Sequence, residues 1–143
     1  MVFALENVAI IALVAGVRLT RARMSAAIAE ESSAILGPIL DATPHAIITT
    51  DRHGRITSWN AAATRMLGFA RDEVIGNRAP HIPPDGRASY EVRRARVLHG
   101  ERFSNVPITR RRKDGSIAQY QLSVAPLESG DRIVGTVATL VEV

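Results

Sequence analysis

Four histidines are the side chains of this sequence most able to bind a metal ion or to transfer a proton. No two of them lie three or four residues apart, the interval at which one helix presents two imidazoles to the same metal. The sequence contains no cysteine, which excludes thiolate ligands, disulfides and a cysteine nucleophile. A metal site is therefore not predicted from the histidines, which are His45, His53, His81 and His99.

A phosphate-binding loop and an acid–base pair are each matched only in part by this sequence. Gly130 and Gly135 have the interval of a phosphate-binding loop, but Thr136 stands where that loop has its lysine, so a turn leading into a strand is predicted. Asp72 and Glu73 are an acidic pair expected on a helix. Adjacent helical side chains point about 100° apart, which suits the start of a helix better than paired acid and base catalysis. No enzymatic activity is predicted.

Composition and charge are those of one small globular domain. The chain has 143 residues, 46% of them hydrophobic, and a formal net charge of +4, which is enough for a single core of ordinary size. Lys113 is the only lysine among 18 basic residues, and aromatic residues make up 4% of the sequence. Because no basic stripe is interleaved with aromatics, the charge is interpreted as solvated surface, and nucleic-acid binding is not predicted.

Two strands and a helix are predicted in succession from residue 46. Residues 46–50 form a β-branched run, residues 51–54 have the composition of a turn, and residues 55–59 are assigned to a second strand. Asn60 is the expected N-cap of a helix over residues 61–67.

The clearest long helix is predicted over residues 87–98, with Gly100 ending it. Its apolar residues are assigned to the buried face and its arginines to the other faces. The buried face comprises Ala88, Val92, Ala95 and either Leu98 or His99, and the remainder includes Arg93, Arg94 and Arg96.

Three further strands complete the predicted fold. Residues 105–109 alternate between apolar and polar types, and Asp114 with Gly115 is a strong signal for a two-residue hairpin. Residues 119–124 alternate in the same way, as expected for a sheet with one solvated face, and residues 133–143 form the last strand. The order of these elements predicts an α+β fold with an antiparallel sheet: two strands, short helices, a long helix and three strands.

The order of these motifs resembles that of a PAS domain over residues 39–143. The resemblance implies a five-stranded antiparallel sheet in the order 2-1-5-4-3, flanked by short helices and one longer helix. The matching segments read ILDATPHAIITTD, DRHGRITSWNAAATRMLGF, RDEVIG and RRKDGS, followed by a closing hydrophobic strand.

The resemblance also implies a pocket for a small ligand between the helices and the inner face of the sheet. Alternation along the strands and position along the helices select candidates for its lining, whereas Trp59 is interpreted as a core residue. The six candidates are Met66, Tyr90, Val97, Ile108, Tyr120 and Leu122.

Two cofactor classes found in PAS domains are not matched by this sequence. Flavin-binding light sensors have a reactive cysteine after a glycine, where this chain reads Gly-Asn-Arg at residues 76–78. Haem-binding members have a histidine shortly before a Ser-Tyr like that at residues 89–90, where this chain has Arg87. His99 is interpreted as a helix-terminal residue near the last carbonyls. No cofactor is predicted.

The domain boundary is expected between an N-terminal helix over residues 1–36 and the PAS domain over residues 37–143. Residues 2–17 are apolar apart from Glu6 and Asn7. As a helix they would span about 24 Å, short of the roughly 30 Å hydrocarbon core of a bilayer. The arginines that follow are typical of a cytoplasmic flank.

Two interpretations of this N-terminal helix stay open. In one, it pairs with its counterpart in a parallel homodimer and extends the amphipathic face of Ile28 and Ile35. In the other, residues 2–17 anchor a cytoplasmic domain to the inner membrane.

The function expected from the sequence is that of a non-enzymatic sensory or dimerisation module in a bacterial signal-transduction protein. Its partners would be a second copy, bound through the N-terminal helix and the sheet, and an output domain or kinase. The alternatives are a membrane-tethered interaction subunit without ligand and a small pocket enzyme. The enzyme alternative lacks a visible pair of nucleophile and base.

Overall fold

The computed structural model describes residues 34–143. The strands are β1 (Ala46–Asp51), β2 (Ile56–Trp59), β3 (Phe103–Arg111), β4 (Ile117–Ser129) and β5 (Arg132–Glu142). The helices are α1 (Ala61–Leu67), α2 (Arg71–Val74) and α3 (Arg87–Leu98), with one 3₁₀ turn at Pro84–Gly86. Residues 34–42 are also helical.

The five strands form one antiparallel sheet in the order β2-β1-β5-β4-β3. This confirms the α+β fold and the strand order that were predicted. The compact unit begins at Leu40, a few residues after the boundary expected at 36/37. The interpretations of residues 2–17 and of Ile28 lie outside the described residues. Among residues 34–143, no helix combines the length and apolar character needed to cross a bilayer.

The core lies between the helices and one face of the sheet. Along β4, Tyr120, Leu122 and Val124 are buried whereas Gln119 and Gln121 are exposed, because successive strand residues face opposite sides of a sheet. The predicted alternation is therefore confirmed. Among the side chains buried with them is Trp59, whose indole N–H donates to Thr64 Oγ1 and to the Phe69 carbonyl, at 3.1 Å each.

Asn60 connects the start of α1 to the segment that precedes β1. Its Oδ1 accepts from the amide of Ala63 at 3.1 Å, which confirms the N-cap, and from the amide of Ile47 at 2.9 Å. Its side-chain amide donates to the carbonyls of Leu40 and His45, at 2.8 and 2.9 Å. One buried side chain thus satisfies four backbone groups.

The buried face of α3 differs from the predicted one. Val92 is 61% exposed, and Ala88 and Ala95 are exposed as well. Tyr90 is partly buried and packs against the core, of which the fully buried Val97 is a member. The prediction was wrong because it kept every arginine off the inner face of α3. Arg94 lies on the same face as Tyr90 and Val97, four residues after the one and three before the other.

The hairpin between β3 and β4 is longer than predicted. The amide of Arg112 donates to the carbonyl of Ser116 at 2.8 Å, so three residues, Lys113, Asp114 and Gly115, form the loop. A two-residue type I′ turn needs positive φ at both central residues, and only Gly115 has it, at 88°. Asp114 instead accepts from the amide and the hydroxyl of Ser116, at 2.9 and 2.6 Å.

Candidate functional site

A cavity lies between α3 and the inner face of the sheet. The centres of water-sized groups can occupy a volume of ≈ 50 Å³ inside it. That volume is enough for a few water molecules or for a molecule of a few heavy atoms. Its wall combines apolar residues with threonines, a tyrosine, a histidine and three arginines. The lining comprises Ile48, Thr50, Ala79, His81, Tyr90, Arg93, Arg94, Val97, Arg110, Leu122, Val124, Thr136, Ala138 and Leu140.

The register of the strands arranges the floor of this cavity in rows. Apolar residues occupy the middle rows, and a pair of threonines forms the row at one end. Arg110, which pairs with Ala118 in the strand register, lies in the row at the other end. The middle and threonine rows are Leu140–Leu122, Ile48–Ala138–Val124 and Thr50–Thr136.

Thr50 and Thr136 form a buried hydroxyl pair at the end of the floor. Their Oγ1 atoms lie 2.7 Å apart, so one hydroxyl donates to the other and both polar groups have a partner. The hydrogen bond of this hydroxyl pair is therefore already made.

Arg110 is a buried cation on edge strand β3. The residue is 5% exposed; its Nη1 donates to the Thr109 carbonyl at 2.9 Å, and its Nε has no hydrogen-bond partner among the described residues. Burial lowers the pKa of the guanidinium to about 10, with a further contribution from the charge of Arg93. Arg110 is therefore protonated at neutral pH.

His81 is a buried imidazole on the segment between α2 and α3. It is 5% exposed, its ring packs edge-on against Trp59 with centroids 5.5 Å apart, and its Nδ1 has no hydrogen-bond partner among the described residues. Burial, followed by the charges of Arg110 and Arg87, lowers the pKa of His81 to about 3. The imidazole is therefore neutral at neutral pH.

Helix α3 supplies the opposite wall with Tyr90, Arg93, Arg94 and Val97. Arg94 pairs with Glu91 at 2.9 Å and donates to the Arg52 carbonyl at 2.9 Å, so its charge is matched. Burial raises the pKa of the Tyr90 hydroxyl, which keeps that group as a neutral donor and acceptor.

Three of the six residues expected to contact a ligand, Tyr90, Val97 and Leu122, line the cavity. Ile108 and Tyr120 border a more open groove, which Arg110 lines as well. Met66 borders a separate surface depression, and its carbonyl accepts from the Tyr120 hydroxyl at 3.1 Å. Contact of these residues with a ligand stays a prediction.

The polar half of the cavity was not predicted from the sequence. Arg110 continues the inward series of Val106 and Ile108 along β3, so strand alternation alone could have placed it inside. His81 follows a proline within an irregular segment, and no periodicity pointed to its burial. His99 was predicted to lie at the end of the long helix near its last carbonyls. Its Nδ1 lies 2.8 Å from the carbonyl oxygen of Ala95, which confirms that prediction.

Comparison with known proteins agrees with this architecture. The sensor protein FixL of Bradyrhizobium diazoefficiens is 29% identical over 100 residues, which cover 66% of this chain and 20% of FixL. The chain thus matches about a fifth of that relative's length.

Two solved structures show the same fold. A PAS domain from Colwellia psychrerythraea superposes with a TM-score of 0.70 at 18% identity, covering 81% of this chain and 97% of that one. A PAS domain from a two-component sensor histidine kinase superposes with a TM-score of 0.66 at 16% identity, covering 80% and 99%. A family model described as the PAS fold matches residues 40–143, and the chain therefore belongs to the PAS family.

Proposed function

We propose that this chain is a non-enzymatic sensory module of a bacterial signal-transduction protein, which binds a small ligand in the cavity under α3 and relays its presence to an output domain or partner. The observation that carries the proposal is the unsatisfied polar wall of that cavity. Arg110 Nε and His81 Nδ1 are buried without a partner among the described residues, which is costly unless another molecule supplies the missing hydrogen bonds.

The relatives support the sensory part of this proposal. FixL is a sensor protein, and one structural neighbour is the PAS domain of a sensor histidine kinase. The position of the cavity supports the relay, because a ligand there would touch both α3 and the central strands β4 and β5. A ligand with different affinities for two arrangements of those elements would shift the equilibrium between them.

The test is a thermal-shift screen of metabolites from several chemical classes, followed by native mass spectrometry. At least one class should raise the melting temperature of the wild type. Ala138→Leu, which extends a side chain into the cavity, should abolish that shift. Val137→Leu is the matched control, because Val137 is the neighbouring residue on β5 and does not line the cavity. No shift with any class, or an equal shift in Ala138→Leu, would refute ligand binding here.

A second proposal, an interaction function, is favoured by the helical residues 34–42. Ile35 is 63% exposed and Leu36 is 55% exposed, and apolar side chains exposed on one helix are typical of a helix that packs against a partner. We propose that a second copy is that partner. Analytical ultracentrifugation should show the full chain as a dimer without detergent, and the full chain carrying both Ile35→Ser and Leu36→Ser as a monomer. An unchanged dimer in that double variant would refute this contact, and sedimentation of the full chain with membranes would favour the anchor instead.

A further inference from the structure

The charge of Arg110 is unmatched within the described part of the protein. Arginines are almost never fully buried unless they are paired, and the ion pairs formed by residues 34–143 include neither Arg110 nor its neighbour Arg93. Within residues 34–143, only Nη1 of Arg110 is hydrogen-bonded, to a backbone carbonyl. The edge of the guanidinium that carries Nε lacks a partner among these residues.

The groups around Arg110 in the described part of the chain add positive charge and no negative charge. Arg93 and Arg87 both act to lower its pKa, and His81 contributes a neutral ring. Glu91, the carboxylate on this part of α3, is held by Arg94 at 2.9 Å and by Arg78 at 3.9 Å. An anion that entered the cavity would therefore meet two cations without carboxylate partners, the buried Arg110 and the partly buried Arg93.

The rest of the cavity selects among anions. Its middle rows are aliphatic, as are Ala79 and Val97 opposite them, so a ligand with a short hydrocarbon tail would bury that tail there. The limited volume, ≈ 50 Å³ for water-sized centres, favours a few heavy atoms. Water could satisfy Nε by hydrogen bonding but would leave the buried charge of Arg110 unbalanced.

We infer that the cavity binds a short-chain aliphatic carboxylate, with the carboxylate group paired to Arg110 and the tail against the apolar rows. A guanidinium accommodates the two oxygens of a carboxylate through two parallel N–H donors. The inference rests on the proposed ligand-binding function and specifies the chemical class of the ligand.

The experiment compares propionate with propionamide, which has nearly the same shape and no charge. Isothermal titration calorimetry on the full chain, at constant ionic strength, should give a dissociation constant for propionate at least tenfold lower than for propionamide. Arg110→Gln and Arg110→Met should each weaken propionate binding at least tenfold. Arg111→Gln is the matched control, since it removes the same charge from the next, exposed position of β3 and should leave binding unchanged.

Equal affinity for the acid and the amide, or unchanged propionate binding in a folded Arg110 variant, would overturn the carboxylate assignment. If neither Arg110 variant folds, the comparison of the two ligands on the wild type decides the question. Binding of another chemical class that Ala138→Leu abolishes, without binding of propionate, would overturn this inference and leave the proposed function standing. No binding by any class would overturn both.

Discussion

The backbone amide of Arg111 donates to the carbonyl oxygen of His81 at 2.8 Å, and this bond ties the segment before α3 to edge strand β3. It holds two basic side chains, those of His81 and Arg110, in the wall of one cavity. Two buried cations without a carboxylate would be costly. The lowered pKa of His81, about 3, leaves the positive charge on Arg110 alone at neutral pH.

The stability of the protein should fall on mild acidification because of His81. In the unfolded chain its pKa is near the ordinary value of 6.5, whereas in the folded chain it is about 3. Below pH 6.5 the unfolded state therefore binds a proton that the folded state does not, and stability is lost as the pH falls from 6.5 towards 3. Between pH 7 and pH 5, protonation of this imidazole in the unfolded chain should lower the free energy of unfolding by about 2 kcal/mol.

Replacing His81 with phenylalanine isolates this effect, because the ring that packs on Trp59 is kept and the titrating group is lost. Urea unfolding at pH 7 and pH 5 should show a smaller loss of stability for His81→Phe than for the wild type, by about 2 kcal/mol. His45→Phe, which removes an exposed imidazole, is the control. Parallel losses in wild type and His81→Phe would show that the buried imidazole is protonated in the folded state.

The fold could be predicted from the sequence because its signals are local and agree with one another. The N-cap at Asn60, the alternation around Leu122 and the order of the elements each select the same architecture. The outline of the apolar pocket was accessible for the same reason, since Tyr90 and Val97 belong to the predicted long helix.

The charged part of the site was not predicted, because the assumption that buried positions are apolar fails there. On α3 that assumption placed Val92 inside and Arg94 outside, and the structure shows the reverse. On β3 it ended the inward series at Ile108, although the next inward position is Arg110. Functional sites are where local rules of this kind are expected to break down.

Asn60 should stabilise the fold through more than its helix cap. Asn60→Ala removes two acceptor and two donor bonds from a residue that is 3% exposed, and at about 1 kcal/mol each the loss should reach roughly 3 kcal/mol or more. Asn60→Asp keeps the acceptor but cannot donate to the carbonyls of Leu40 and His45, so it should also destabilise. Thermal and urea unfolding measure both variants.

Asn77→Ala is the matched control for Asn60, because Asn77 is exposed and its side chain makes one bond, to the Glu73 carbonyl at 3.1 Å. Its effect should stay within about 0.5 kcal/mol. If Asn60→Asp is as stable as the wild type, the bonds that Oδ1 accepts from the amides of Ala63 and Ile47 are the only contribution of this side chain, and its donor bonds add nothing.

Gly135 should tolerate no side chain, because β1 and β5 approach each other closely there. A Cβ atom on Gly135 would overlap the carbonyl oxygen of Thr50, so Gly135→Ala must push the strands apart beneath the Thr50–Thr136 pair. Destabilisation of about 2 kcal/mol is expected in urea unfolding. Gly86→Ala is the control, since its Cβ would make ordinary contact with Pro83 at 3.4 Å; equal effects of the two substitutions would contradict the close approach.

Gly115 should require a residue that accepts a left-handed backbone. Its φ is 88° in the loop between β3 and β4, and a Cβ there would meet no atom within 4 Å, so any cost of substitution comes from backbone strain alone. Gly115→Val should destabilise by roughly 1 kcal/mol or more, because a β-branched residue resists positive φ. Gly115→Asn should cost clearly less, since asparagine enters the left-handed region more readily. Melting temperatures of the two variants decide the point: if valine and asparagine lower it equally, strain at φ is not what Gly115 relieves, and the loop must depend on the Asp114–Ser116 bonds instead.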